Sequence, residues 1–317
     1  MVADDPVRTA SPSNPNTYGP KGFPLAISSY DHLESAVRSW AEKQPAVQVI
    51  LLVGSRARQI NPADRYSDLD MILFADQPGL FTSNSAWLEE ISRVWAVYQN
   101  TTGHGDIEWI VLFEGGFKAD FVIVESQPTS PLEMNSHDLI TQSQYQFVLQ
   151  RGVRLLYSKS NLYPQDGMGL VEETARLTMH PDESEFRQLT SRGYLLLYQT
   201  VKMEQRGENW LAQAAFQGDF RRLTIRLFEW QASTVAKSDQ WFGGRFLSSW
   251  ADPDFKAEFE SAFTVSAGDP LEAVLQVLPV FQGLLSVIAE KLGYDYPLDE
   301  DSQILAWLKE LCQIQNR

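Results

Sequence analysis

Apolar and polar positions alternate with two different periods along the chain, and the change of period divides it. In SYDHLESAVRSWAEKQ, Leu33, Val37, Trp40 and Ala41 recur at helical spacing, which predicts an opening helix. AVQVILLVG is a nearly continuous apolar run ending at Gly54, and LDMILFAD is a second one after a polar loop with Asn61 and Pro62. Both read as buried strands. In SAWLEEISRVWAVYQ, apolar residues at 87, 88, 91, 94, 95 and 98 predict an amphipathic helix. IEWIVLF and KADFVIVE flank Glu-Gly-Gly and read as a hairpin. The predicted order is helix, strand, strand, helix, strand, strand.

Beyond about residue 130 the strand-like alternation stops. Helical stretches are predicted over 137–150, 183–205, 208–236, 254–263, 270–292 and 300–315, with SPLEMNSHD and YPQDGMGL as connectors. The expected class is α+β: an N-terminal α/β domain with a mixed sheet, then an all-helical C-terminal domain. The expected boundaries are a flexible polar leader over 1–25, a sheet domain over 26–135 and a helical substrate-binding domain over 136–317. A chain of 317 residues and 35.9 kDa has the length for two such cores.

Charge narrows the partners. A formal net charge of -15 and a pI near 4.7, without a Lys/Arg cluster, disfavour generic nucleic-acid binding and suit a small cationic partner. LEAVLQVLPVFQGLLSVIAEKLG is apolar enough to raise the question of a membrane span. Glu272, Gln276, Gln282, Ser286 and Glu290 draw a polar stripe along it, and a core helix is expected. The single Cys312 excludes an intramolecular disulfide, reads as a core residue of the last helix, and fits a reducing, cytoplasmic setting. His32, His104, His137 and His180 show no ligand spacing. Trp95, Trp109, Trp210, Trp230 and Trp241 could line a pocket, although core packing is the expectation for Trp95 and Trp230.

The candidate chemistry lies in GSRARQINPADRYSDLD, where two aspartates stand at the mouth of a buried strand. Gly54 and Ser55 end the first strand with a residue that allows close backbone approach and a hydroxyl donor, as phosphate-holding turns require. Asp68 and Asp70 are two positions apart, so on a strand they share a face about 7 Å apart, with Leu69 turned to the core. Asp120 opens DFVIV in line with Val122 and Val124. Three carboxylates on neighbouring strand ends repel unless a cation joins them. Hard oxygen ligands without His or Cys point to Mg²⁺, and such a site suits phosphoryl or nucleotidyl transfer with up to two ions.

Gly-Ser at a strand end, Asp-apolar-Asp leading into an apolar strand, and a third Asp on a later strand form together the signature of the polymerase-β-like nucleotidyltransferase superfamily. GSRARQINPADRYSDLDMILF further resembles the corresponding stretch of the aminoglycoside 6-adenylyltransferase (streptomycin adenylyltransferase) family, with Leu69 where that family carries an aromatic residue. RLFEWQA, WFGGRFLSSW and AEKLGYDYP are similar to its Glu-Trp helix, Gly-rich turn and Leu-Gly-aromatic-x-aromatic-Pro segment, so the likeness covers roughly residues 30 to 315. The resemblance implies an ATP-dependent transfer of AMP to a hydroxyl of an aminoglycoside such as streptomycin. It also implies Asp68, Asp70 and Asp120 as Mg²⁺ ligands and catalytic groups, and Gly54, Ser55 and Arg56 as nucleotide contacts. The general base stays open among Asp120, Glu185, Glu204 and Glu208. Another small acceptor, such as a lincosamide or a metabolite, and a degenerate nucleotide-binding module are the alternatives.

Overall fold

A computed structural model describes residues 28–126, 146–149, 151–159, 180–235, 241–296 and 298–313. The expected leader, both named connectors, His137 and most of the helix expected over 137–150 lie outside the described residues. The chain divides into two compact units, Met1–Ala175 and Arg176–Arg317.

The first unit is built on a six-stranded mixed sheet in the order β3-β4-β5-β2-β1-β6. Its strands are β1 (Val47–Val53), β2 (Leu69–Ala75), β3 (Val94–Thr101), β4 (Ile107–Phe113), β5 (Phe117–Glu125) and β6 (Arg154–Ser158). β1 pairs antiparallel with β2 and β6, and β3, β4 and β5 form an antiparallel meander. β2 and β5 pair in parallel. That parallel pair brings the N-terminal parts of both strands to the same end of the sheet.

One face of the sheet is closed by α1 (Tyr30–Ala41), capped by Ser29, whose side chain accepts the His32 N–H. Leu33, Val37, Trp40 and Ala41 are all buried, as their spacing predicts, against Leu69, Met71, Leu73, Ala119, Phe121 and Ile123. The Trp87 and Trp109 indoles both donate to the Phe81 carbonyl, at 3.1 and 2.7 Å, and Trp40 stacks on Trp87 at 4.8 Å. The opposite face carries a smaller cluster of Val49, Leu51, Val53, Ile72, Leu149 and Val153. Leu149 ends a short helical turn, Gln146–Leu149.

Two expectations are corrected here. The helix predicted over 85–99 is a 3₁₀ turn, Ala86–Glu90, followed by strand β3. Its helical period arose from two unrelated pieces. Trp87, Leu88 and Ile91 are buried under the sheet, whereas VWAVYQNT pairs with β4 through an irregularity between Val94 and Ala96. β3 is an edge strand, so Trp95 and Tyr98 are exposed, and the core role expected for Trp95 does not hold. The second concerns the boundary expected at 135/136. β6 pairs with β1, which keeps residues through Ser158 with the sheet, and the units divide between Ala175 and Arg176.

The second unit is helical. Its helices are Glu183–Gln205, Asn209–Gln213, Arg221–Ser233, Pro253–Val265, Pro270–Leu292 and Leu298–Gln313, with a π-helical stretch, Ala214–Phe220, joining the second and third. Glu183–Gln205 starts with a capping box in which Asp182 accepts the Glu185 N–H and Glu185 accepts the Asp182 N–H. Pro270–Leu292 is long and apolar enough to cross a membrane by length and composition. Eleven of its residues, among them Val277, Phe281, Leu284 and Ile288, are buried in the core of this unit, as its polar stripe predicts.

Cys312 is buried on the last helix, and burial, with Asp269 and Glu272 adding to it, pushes its thiol up to about 11 from the ordinary 9.0. The thiolate is the reactive form. Ellman's reagent at pH 8 is therefore expected to leave native protein unlabelled and to titrate Cys312 only in denaturant. Fast labelling of the native protein would contradict the burial.

Candidate active site

β1 delivers the first part of the site. At its end Gly54 adopts φ +70°, and the chain enters a 3₁₀ turn, Gly54–Arg56, in which the N–H groups of Ala57 and Arg58 both donate to the Gly54 carbonyl. Space as well as conformation requires glycine here. A Cβ on Gly54 would lie 2.0 Å from Asp70 Oδ2, inside any allowed contact. The Ser55 hydroxyl is buried and has no hydrogen-bond partner among the described residues.

The loop from 57 to 68 is held by its own hydrogen bonds. Asp64 forms an Asx-type turn, accepting the Tyr66 N–H at 2.9 Å and the Ser67 hydroxyl at 3.0 Å. Those bonds, the Tyr66 one foremost, hold the Asp64 carboxyl below its ordinary 3.8. Arg56 donates to the carbonyls of Asp68 (3.1 Å) and Ser67 (3.2 Å) and lies 3.8 Å over the Tyr30 ring. Its guanidinium thus fixes the entrance to β2, and Arg56 positions Asp68 through the backbone.

The parallel register then sets the carboxylates. Asp70 pairs with Asp120 across β2 and β5, with Asp68 just before β2, and the carboxylate oxygens of all three lie within 4.8 Å of one another. Antiparallel pairing would have put Asp120 at the other end of β2. Each acid is partly buried, on the face opposite α1, where Val122 and Val124 follow Asp120 as the period of two predicts. The arrangement brings Asp68, Asp70 and Asp120 together with the Gly54 turn.

Lys118 was not legible as a site residue when attention rested on acids alone, although it stands two positions before Asp120 on the same strand face. Its ammonium donates to Asp68 Oδ2 at 2.7 Å and to both Asp120 oxygens at 2.7 Å. Burial works against the Lys118 charge, but the hydrogen bonds and charges of Asp120 and Asp68 outweigh it, and its pKa rises above 10.5. Burial also raises Asp120 above the ordinary 3.8; Lys118 pulls it down, while Asp68 and Glu108 push it up. Glu108, on β4 and bonded to Asn100 at 2.8 Å, is a fourth acid felt at the site that the sequence reading passed over.

These residues fit a divalent cation. Three carboxylates converge on one spot, two of them, Asp68 and Asp120, already hold a positive charge there, and every donor atom is a hard oxygen. The other base candidates are engaged locally. Glu185 caps its own helix and Glu208 pairs with Arg206 at 3.0 Å. Glu204 accepts from Asn209 through one oxygen, and its other oxygen is buried without a partner among the described residues.

In the helical unit the three motif segments meet through packing. Glu229, buried, accepts the Gly243 N–H at 2.7 Å and pairs with Arg226 at 3.0 Å, which ties the Glu-Trp helix to the Gly-rich turn. Phe186 lies between Trp230, Tyr294 and Tyr296, with ring centroids at 6.4, 5.8 and 6.0 Å. Trp230 is core, as expected, whereas Trp109 and Trp241 are buried and Trp210 is exposed. Glu229→Ala is expected to cost about 3 kcal/mol by chemical denaturation, since it strands Arg226 and a backbone N–H; an unchanged midpoint would show the tie to be dispensable. Grooves open among the described residues of this unit. One of about 650 Å³ is mostly aromatic and apolar, with Tyr194, Tyr198, Tyr296 and Trp307. The other, about 450 Å³, mixes Glu185 and Asp219 with Arg192, Arg222 and Arg226. Neither has the surplus of carboxylates that a polycation requires.

Nothing among curated proteins matches the chain. Two solved structures are distantly similar to it. One is an aminoglycoside 6-adenyltransferase from Bacillus subtilis, with 15% identity over 91% of this chain and 100% of that one and a TM-score of 0.39. The other is a nucleotidyltransferase-like protein from Exiguobacterium sibiricum 255-15, with 14% identity over 89% and 88% and a TM-score of 0.28. The sequence model of the family described as Streptomycin adenylyltransferase matches residues 28–311 of the 317, and the chain belongs to that family.

Proposed function

We propose that this nucleotidyltransferase, of the aminoglycoside adenylyltransferase type, moves AMP from ATP to a hydroxyl of a cationic aminoglycoside such as streptomycin and releases pyrophosphate. The observation that supports the chemistry is the convergence of one carboxylate oxygen from each of Asp68, Asp70 and Asp120 within 4.8 Å at the end of the sheet shared by β2 and β5. In this reading the three acids would hold Mg²⁺, as two ions in the expectation carried by the family resemblance. A cation held by them would supply charge neutralisation and orientation of the triphosphate.

The chain's own groups do the rest. The Gly54 turn lets the backbone approach the phosphates closely, and the Ser55 hydroxyl, buried without a partner among the described residues, gains one by turning towards a phosphate oxygen. Arg56 holds the Asp68 carbonyl and so keeps the carboxylate in place. Asp120 is the carboxylate at this end of the sheet assigned to accept the proton of the attacking hydroxyl. The net charge of -15 favours a cationic acceptor.

The test is pyrophosphate release from ATP and Mg²⁺ with a panel of aminoglycosides, a lincosamide and no acceptor. Release that depends on streptomycin or a close relative is expected. Release only with the lincosamide would move the acceptor class, and nucleotide binding without release from any acceptor would leave a binding module in place of an enzyme of this specificity.

A further inference from the structure

Lys118 takes up the position that the proposed cation needs. All three donors of an ammonium are accounted for by one bond to Asp68 and two to Asp120, each 2.7 Å. The two acids flank the site from different strands, and the lysine reaches both because it shares a face with Asp120 and precedes it by two residues. A divalent cation bound to the same oxygens would lie within a few ångströms of the ammonium, so both cannot keep these partners at once. The lysine stem is flexible and its side chain is 39% exposed, which leaves it an outward path.

We propose that Lys118 is a resident counter-ion of the metal-free carboxylates, displaced by the incoming divalent cation and then bound to the polyphosphate of the nucleotide. The proposal rests on the metal site assigned under Proposed function. It gives one residue two tasks. Before loading, it offsets the repulsion between Asp68 and Asp120, the two acids it bonds; after loading, it adds a positive charge where the triphosphate arrives. It also makes metal and nucleotide binding mutually supportive, since the cation frees the lysine and the phosphates then hold it away from the carboxylates.

The experiment measures Mn²⁺ binding by electron paramagnetic resonance on the full chain without nucleotide, then binding of a non-hydrolysable ATP analogue at saturating Mn²⁺. Lys118→Met is the main variant, with Lys118→Gln as a second neutral replacement in case the first does not fold. Both neutral variants are expected to bind Mn²⁺ about tenfold more tightly than wild type, as loss of a competitor requires, and the analogue about tenfold more weakly. Lys118→Arg, which keeps the charge, is expected to restore analogue binding to within about threefold. Mn²⁺ binding that is unchanged or weaker in the neutral variants overturns the inference while leaving the metal site intact. Absence of Mn²⁺ binding in wild type and variants alike, with the analogue present, overturns the metal site itself and this inference with it.

Discussion

Asp120→Asn is expected to lower adenylyl transfer by about 10²–10³-fold, the cost of removing one preorganised electrostatic contact from a reacting centre. The variant keeps the size of the side chain and an oxygen for Lys118, so the loss reports charge at the carboxylate. Stability should move the other way. Burial raises the Asp120 pKa, which means that the folded protein favours its protonated form. The stability belonging to that form is fully present below the ordinary value of 3.8 and is lost as pH rises through the raised one. Asn mimics the protonated acid at every pH. In metal-free buffer the variant should therefore melt with wild type near pH 3 and above it at neutral pH. A variant that melts lower, by a margin widening with pH, would mean that the ion pair with Lys118 outweighs burial.

Gly54→Ala should be nearly as damaging to activity for a steric reason. The added Cβ meets Asp70 Oδ2 at 2.0 Å, and the residue stands at φ +70°, where an L side chain costs about 1–2 kcal/mol. Either Asp70 turns away or the turn after β1 shifts. Both spoil the carboxylate cluster, and a loss of at least about 10²-fold in turnover follows, as for misplacement of a reacting group by about an ångström. Gly105→Ala is the control. That glycine also has positive φ, at +93°, but a Cβ there meets nothing within 4 Å. It should lose stability of the same order and keep full turnover. Equal activity losses in the two variants would show that backbone strain, rather than the contact with Asp70, explains the effect.

The three acids of the candidate site were legible because each sits beside a run where a single periodicity holds. Asp70 and Asp120 each stand just before an apolar run, and the alternation along DFVIV already places Asp120, Val122 and Val124 on one face. What sequence alone could not give is the register, since nothing local states that β2 and β5 pair in parallel with Asp70 opposite Asp120. Lys118 escaped notice for the same reason. A lysine two residues from an aspartate on a strand is ordinary until the second acid is known to lie across from it. The misread segment over 85–99 shows the opposite failure. Its apolar spacing satisfied a helix, but the first half packs as a 3₁₀ turn under the sheet and the second half pairs as an edge strand, where burial no longer dictates which residues are apolar. β6 lies beyond a long intervening stretch, and its five residues carry too short a pattern to outweigh the helical segments around it. The long helices of the second unit were readable because periods of twenty residues or more average out such accidents, as in Glu183–Gln205 and Pro270–Leu292.

The motif segments of the helical unit have acquired a physical reason. Glu229, Gly243, Tyr294 and Tyr296 are engaged in packing and hydrogen bonds around Phe186 and Trp230, so they account for how this unit holds together. They do not by themselves select an acceptor.

The most direct measurement is mass spectrometry of streptomycin after incubation with ATP, Mg²⁺ and either wild-type protein or Asp120→Asn. The proposed function predicts a product heavier by one adenylyl group with wild type and a trace of it, or none, with the variant. Unmodified streptomycin in both reactions, or equal product in both, would contradict the assignment of the Asp68, Asp70 and Asp120 cluster as the centre of an aminoglycoside adenylyltransferase.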